Sequence, residues 1–550
     1  MSISRREFLW RGVGAAVGLG AGAGWPRAAR AAAAGSVEGP FEPTWESLAA
    51  YRTPDWFRDA KFGIWAHWGP QCVPERGDWY ARNMYRQGEP QYEDHLARYG
   101  HPSKSGFKEI IHLWRAERWD PEHLVGLYER AGAKYFMALA NHHDNMDLFQ
   151  SSHQPWNSVA LGPKKDLIGG WARAARRAGL PFGVSVHAAH AWSWYEVAQG
   201  SDAKGPLAGV PYDGVLTRAQ GRGQWWNGLD PQELYAQSHE PGKDLVWDWD
   251  ASRGSSTPDA AYCEKFYRRT VELIDRYHPD MIYFDDTVLP LYPVSDVGLR
   301  LAAHFYNSNM KRHGGRLEGV ITGKILDEQQ RRCMVWDIER GVADRIQPLP
   351  FQTDTCIGNW HYDRPLFDRH GYKTPEMVAQ MLVDIVSKNG NLMLNIPLPG
   401  HGAPDSDELS FLADFTRWMD VNGRAIYGTR PWSVYGEGPS TASAAPLRAQ
   451  GFNEGKQKPY TAGDLRFMQK EGKLYAFALA WPEDGELRIT SLAEGSPHAP
   501  GRVERVELLG APGPLRYRRD ASGLAISLPS APPGDYAYAF EISGSGITAA

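Results

Sequence analysis

The chain has 550 residues, 42% of them hydrophobic and 23% charged, the balance of a soluble globular protein too long for one ordinary domain. A formal charge of -5 argues against nucleic acid or an anionic membrane as the main partner. Aromatic residues are abundant, with 22 Trp and 25 Tyr. Many sit in polar settings such as Asp78-Trp79-Tyr80, Trp225-Trp226-Asn227 and Asn359-Trp360-His361-Tyr362, where flat apolar faces beside hydrogen-bonding groups suit sugar rings.

Residues 1–34 read as a twin-arginine-type export signal. Ser4-Arg5-Arg6-Glu7-Phe8-Leu9 is followed by a Gly/Ala-rich run from Gly12 to Gly24 and then by small residues from Ala28 to Ala34. The run is too short and glycine-rich for a membrane span. The mature protein is therefore expected to start near Ala34 and to reside in a bacterial periplasm or outside the cell. Cys72, Cys263, Cys333 and Cys356 show no CxxC spacing and suggest no zinc site. Because twin-arginine cargo folds before export, they are expected to be reduced, buried thiols.

Residues 35–430 predict one large body. Strand candidates are Phe62–Ala66, Tyr135–Leu139, Phe182–Val186, Met281–Phe284, Gly319–Ile321 and Leu392–Ile396. Helical patterns lie between them: Pro121 to Ala131, Asp166 to Arg177, a run opened by Thr257-Pro258, and another opened by Thr374-Pro375 that ends at Asn389-Gly390. Alternation of this kind implies a parallel sheet, closed as a (β/α)8-like (TIM) barrel, with a doubly wound open sheet as the alternative. The alternative lacks a GxGxxG opening. Between residues 196 and 259 the pattern lapses into Gly, Pro, Asp and Trp, as expected of a long loop insertion. From 431 to 550, short strands such as Leu474–Trp481, Leu487–Ile489, Val503–Leu509 and Tyr536–Phe540 predict a C-terminal antiparallel β-sandwich.

Polar groups fall where the barrel strands stop. His67 follows the first strand, His142-His143-Asp144-Asn145 the second, His187 and His190 the third, and Asp285-Asp286 the fourth; Lys324 and then Trp336-Asp337-Ile338-Glu339 come next. So many at successive strand ends imply a shared pocket. His142, His143 and Asp285 are possible metal ligands, although neighbouring histidines on a strand point to opposite faces. A nucleophilic serine would want a GxSxG turn, which is missing. Asp285 and Glu339 suit glycoside hydrolysis, one ionised at the anomeric carbon and one protonated for the leaving oxygen.

Several segments resemble the α-L-fucosidases of glycoside hydrolase family 29. They are Phe62-Gly63-Ile64-Trp65-Ala66-His67-Trp68-Gly69, Asp78-Trp79-Tyr80, Ala133–Phe136 leading to His142-His143-Asp144, Trp156-Asn157-Ser158, Pro279–Asp285, Val386-Ser387-Lys388-Asn389-Gly390-Asn391-Leu392 and Ala425–Thr429. The resemblance runs in order over roughly residues 45 to 435. It implies a retaining, exo-acting barrel enzyme that takes terminal α-L-fucose from a fucosylated oligosaccharide or glycoconjugate, with no metal or organic cofactor. It assigns the nucleophile to Asp285 and the acid/base to Glu339. Substrate contacts are implied for His67, Asp78, Trp79, His142, His143, Lys324 and Trp360; His187 stands where the family usually has tyrosine or a small residue and is expected to bind on the substrate side. Asp78 stands where the family more often has glutamate, and Lys324 where it has arginine, keeping the charge but losing the bidentate fork. A galactose-directed exoglycosidase, a lectin-like descendant of the same fold and a metal-dependent hydrolase are the competing expectations.

Overall fold

The computed structural model describes residues 37–442, 453–455 and 458–548. The leader expected at 1–34 lies outside these residues. Eight parallel strands close into a barrel: β1 (Phe62–Ala66), β2 (Phe136–Asn141), β3 (Phe182–Val186), β4 (Met281–Phe284), β5 (Val320–Gly323), β6 (Val335–Glu339), β7 (Phe351–Cys356) and β8 (Gly390–Asn395). Closure is made by β1 against β8, from Phe62 opposite Leu392 to Trp65 opposite Asn395. Every residue of these strands is buried, as expected of a sheet covered by helices outside and packed by side chains inside.

Six of the strands fall where the apolar runs predict them. The other two, β6 and β7, read VWDIE and FQTDTC, and their inward positions carry acids and amides in place of aliphatic side chains.

The helices start on side-chain caps. Asp166 Oδ1 accepts from Gly169 N at 2.9 Å, and Thr374 Oγ1 accepts from Met377 N at 3.2 Å. The helix Ala260–Tyr277 is capped by Asp259, whose Oδ1 accepts from Tyr262 N at 2.8 Å, so the expected Thr257-Pro258 start is displaced by two residues. A carboxylate that fills an orphan amide outweighs the fixed φ of an upstream proline; such caps contribute about 1 kcal/mol. That helix buries Phe266, Leu273 and Ile274 against the barrel.

Beyond the barrel lie β9 (Arg430–Glu437), β10 (Leu465–Lys470), β11 (Lys473–Ala478), β12 (Glu486–Ile489), β13 (Arg502–Leu508), β14 (Tyr517–Asp520), β15 (Gly523–Ser527) and β16 (Tyr538–Ser545). They form antiparallel sheets ordered β13-β16-β11-β10-β9 and β12-β15-β14. The sheets enclose a core of their own that includes Trp432, Phe467, Leu487, Ile526 and Phe540. The Ser-Lys-Asn-Gly segment explains how they attach. Lys388 Nζ lies 2.7 Å from Asp384 Oδ2, and Arg466 Nε of β10 lies 2.6 Å from Asp384 Oδ1, all three side chains buried. A buried charge set of this kind holds one arrangement because breaking it strands an unpaired ion.

Candidate active site

The residues that matter leave the C-terminal ends of the strands. Asp285 follows β4, and Lys324 reaches across from the end of β5. Its Nζ lies 2.5 Å from Asp285 Oδ1 and 2.6 Å from Glu339 Oε2, the last residue of β6. The two acid oxygens are thus at most about 5 Å apart, so both acids face one small space. All three side chains are buried. Burial alone would raise Asp285, but Lys324 and His187 outweigh it and hold the carboxyl well below the usual range. Burial likewise opposes the Lys324 charge, and the two carboxylates overcome it, so its pKa is raised.

Asp285 has two imidazoles on its other oxygen. His187 Nδ1 donates to Oδ2 at 2.8 Å, and His143 Nε2 stands 3.3 Å from the same atom. His143 Nδ1 is occupied by the His187 carbonyl at 2.8 Å, and burial lowers its pKa to about 4. At neutral pH, then, His187 supplies the N–H and His143 shapes the wall. Asp286 points the other way, its Oδ1 3.4 Å from His190 Nε2. Burial would lower His190, and Asp286 more than offsets it; burial raises Asp286 in turn.

A narrow pocket opens above these groups. Of the ten residues expected from sequence, His67, Asp78, Trp79, His142, His187, Asp285, Lys324, Glu339 and Trp360 line it. His143 stands one layer back, fully buried against Asp285. His142 and His143 both turn toward the site, with ring centroids 4.4 Å apart. The expected alternation does not apply because β2 has already ended at Asn141.

Trp65, Tyr283 and His361 complete the lining and were missed as site residues. His361 was within view, directly after Trp360 in the polar aromatic run. Its backbone N–H donates to Asp78 Oδ1 at 2.9 Å. Burial would raise Asp78, and the His361 contacts more than offset it. The insertion adds what sequence could not place: Trp247 packs on Trp79 at 5.0 Å, and Trp249 stands 5.3 Å from Lys324 Nζ. Trp79 itself has φ 64, a conformation bulky residues rarely adopt unless their neighbours fix it.

The rings also answer whether a metal could be held. Candidate nitrogens of His67, His142 and His361, or of His142, His143 and His187, lie within 4.8 Å of one another. Both sets include His142, whose Nδ1 accepts from Gln71 Nε2 at 2.8 Å while the Gln71 oxygen accepts from Ala81 N. Its free Nε2 therefore carries the proton. A hydroxyl can use that donor, whereas a metal needs a lone pair there.

A broader groove at the opposite end of the barrel, lined by Trp56, Lys134, Tyr427 and Arg430 among others, has only exposed acids, Asp59 and Glu471. The four cysteines are free and buried; burial pushes the Cys72 thiol up to about 12 and the Cys356 thiol to about 11.

Comparison with known proteins bears on the family and the fold. The alpha-L-fucosidase family model matches residues 28–424, and the alpha-L-fucosidase C-terminal domain model matches residues 457–543. The tissue alpha-L-fucosidase of Macaca fascicularis is 25% identical over 517 residues, spanning 92% of each chain. The plasma alpha-L-fucosidase of Homo sapiens is 26% identical over 495 residues, covering 89% of this chain and 88% of the other. Among solved structures, a Thermotoga maritima alpha-fucosidase in complex with fucose superposes with a TM-score of 0.64 at 23% identity, over 91% of this chain and 100% of that one. The alpha-L-fucosidase isoenzyme 1 of Paenibacillus thiaminolyticus gives 0.60 at 19% identity, over 91% and 99%.

Proposed function

Since the chain belongs to the α-L-fucosidase family, a family of retaining glycoside hydrolases that release fucose, we propose that Asp285 is its nucleophile and Glu339 its acid/base. Asp285 would attack the anomeric carbon to form a fucosyl ester while Glu339 protonates the departing oxygen. Glu339 would then draw a proton from water as that water opens the ester. The observation that carries this reading is the Lys324 ammonium in contact with both carboxylates, so that the two acids face one small space.

His67 and His142 would take the sugar hydroxyls. His67 has neither ring nitrogen bonded among the described residues, and burial keeps it neutral, able to donate and accept. Trp79 and Trp360 would offer apolar faces to the ring, and Asp78 a carboxylate oxygen at the rim. His187 would act on the substrate side and on Asp285 together. The substrates would be fucosylated oligosaccharides or glycoconjugates carrying α-L-fucose at a terminus. Export through the Arg5-Arg6 leader to the periplasm or beyond is the accompanying proposal; four thiols buried in reduced form suit a chain that folds first.

A 2-fluoro-fucosyl fluoride trap tests the assignment, since it accumulates the glycosyl ester. Peptide mapping should place the label on Asp285; a label on Asp286 or elsewhere ends the reading. Comparing aryl α-L-fucosides with aryl galactosides of the same configuration, in the same experiment, decides the sugar.

A further inference from the structure

Two buried acids below the reacting pair take part in none of these steps. Asp337 of β6 and Asp354 of β7 are both 0% exposed. Strand alternation turns Asp337 and Glu339 to the barrel interior together, and the β6–β7 register sets Asp337 opposite Gln352 and Glu339 opposite Asp354. Each acid has one oxygen filled by a neutral donor: Gln352 Nε2 donates to Asp337 Oδ1 at 2.8 Å, and Tyr283 Oη donates to Asp354 Oδ2 at 2.9 Å. Gln352 is itself oriented by Tyr135, whose hydroxyl donates to Oε1 at 3.0 Å. Among the described residues the remaining oxygens, Asp337 Oδ2 and Asp354 Oδ1, receive no donor, yet the two carboxyl groups lie within hydrogen-bonding reach of each other.

Two bare carboxylates cannot share such a place, and one proton between them satisfies both open oxygens. We infer that Asp337 is the carboxylic acid of this pair, donating to an ionised Asp354, and that the charge on Asp354 is what keeps Glu339 able to hold a proton beside Lys324. This rests on Glu339 being the acid/base. An ammonium 2.6 Å from Glu339 Oε2 favours its ionised form, the wrong state for protonating a leaving group. A negative charge at the register position opposite Glu339 opposes that pull. The charged and titratable groups facing the pair are Tyr283 from β4, Lys324 from the end of β5, Glu339 from β6 and, below them, Tyr135; Asp285 lies beyond Tyr283. Burial and the neighbouring Asp354 drive Asp337 far above the ordinary carboxylate range, and burial raises Asp354 less, against the pull of Lys324. Asp354 is thus a positioning residue that acts through Glu339.

The test is the pH profile of kcat/KM on a fucosyl disaccharide, whose alkaline limb reports loss of the protonated acid. Asp354→Asn should move that limb down by at least about one unit, the effect of removing one charge at adjacent-strand distance. It should spare an activated aryl fucoside far more than the disaccharide. Asp337→Leu should do the same, because Asp354 must then take the proton itself. Asp337→Asn, whose amide still donates to Asp354, should shift the limb less than either. Should the first two variants not fold, infrared difference spectra of the wild-type protein against Asp337→Asn supply the readout. At neutral pH the wild type should show a protonated-carboxyl stretch that this variant lacks. An unmoved limb in Asp354→Asn, or no such band, overturns the inference. If Glu339→Ala itself shows no leaving-group selectivity, the acid/base assignment has failed and not the protonation of the pair, which the infrared band reads separately.

Discussion

His187 Nδ1 donates to Asp285 Oδ2 across 2.8 Å, tying the end of β3 to the proposed nucleophile on the next strand. Burial lowers the His187 pKa, so the ring is neutral at pH 7 and its one proton is committed to Asp285. A donor to a charged acceptor contributes about 1.5–3 kcal/mol. His187→Phe should therefore lower kcat/KM by about 10- to 100-fold, with the acid limb of the profile moving up as the carboxylate loses support. His187→Asn, which restores an N–H, should recover part of the loss. A phenylalanine variant within twofold of wild type would show that Asp285 does not depend on this bond.

Lys324 carries a larger consequence, because among the described residues it is the one ammonium in contact with both acids. In Lys324→Met two carboxylates face each other in a buried site, a situation that costs about 3–5 kcal/mol. Asp285 is depressed in the folded state, so its share of stability is full above its unfolded value of about 3.9 and is lost as pH falls. Lys324 is raised, so its share is full below about 10.4 and is lost as pH rises. The melting-temperature gap between wild type and variant should thus be widest from about pH 4 to 10 and should shrink below pH 4, where the acids protonate. A gap that does not change with pH would trace the loss to packing alone.

Asp285→Gly should remove turnover by about a thousandfold or more, as expected when the bond-forming group goes. Azide should restore part of it and give a fucosyl azide of inverted configuration, which product NMR identifies. An active glycine variant would hand the role to another acid, with Asp286 excluded only if its pairing to His190 persists.

Legibility of the sequence followed chemistry closely. Where a strand was aliphatic, as in Met281–Phe284, its place and the acid at its end could be read directly. Where the barrel interior itself was polar the reading failed: Asp337, Gln352 and Asp354 broke the apolar runs of β6 and β7, so the strands that carry the buried acid pair were the ones not foreseen. Glu339 was still found, from its order in the chain and its family resemblance. Trp247 and Trp249 could not be placed, because an irregular insertion has no periodicity to fix which side chains return to the site. His361 belongs to a sugar-suited cluster in the sequence, but its tie to Asp78 spans 283 residues and has no local signal.

The leaving group separates the role of Glu339 from that of Asp285. Acid help matters only when the departing oxygen is a poor leaving group, so Glu339→Ala should cripple hydrolysis of fucosyl oligosaccharides, whose alkoxide needs a proton. An activated aryl fucoside should still fucosylate Asp285 at a rate close to wild type. Water would then attack the ester without base help, so the intermediate accumulates, and kcat and KM should fall together. A pre-steady-state burst of the aryl alcohol, absent from Asp285→Gly, would mark that accumulation. The alanine also frees Lys324 from one of its two acids, so all of its charge falls on Asp285. The acid limb of the first step should therefore hold or move down, the reverse of what Lys324→Met does. Equal impairment on every leaving group would move the acid/base role to another residue while leaving the nucleophile in place.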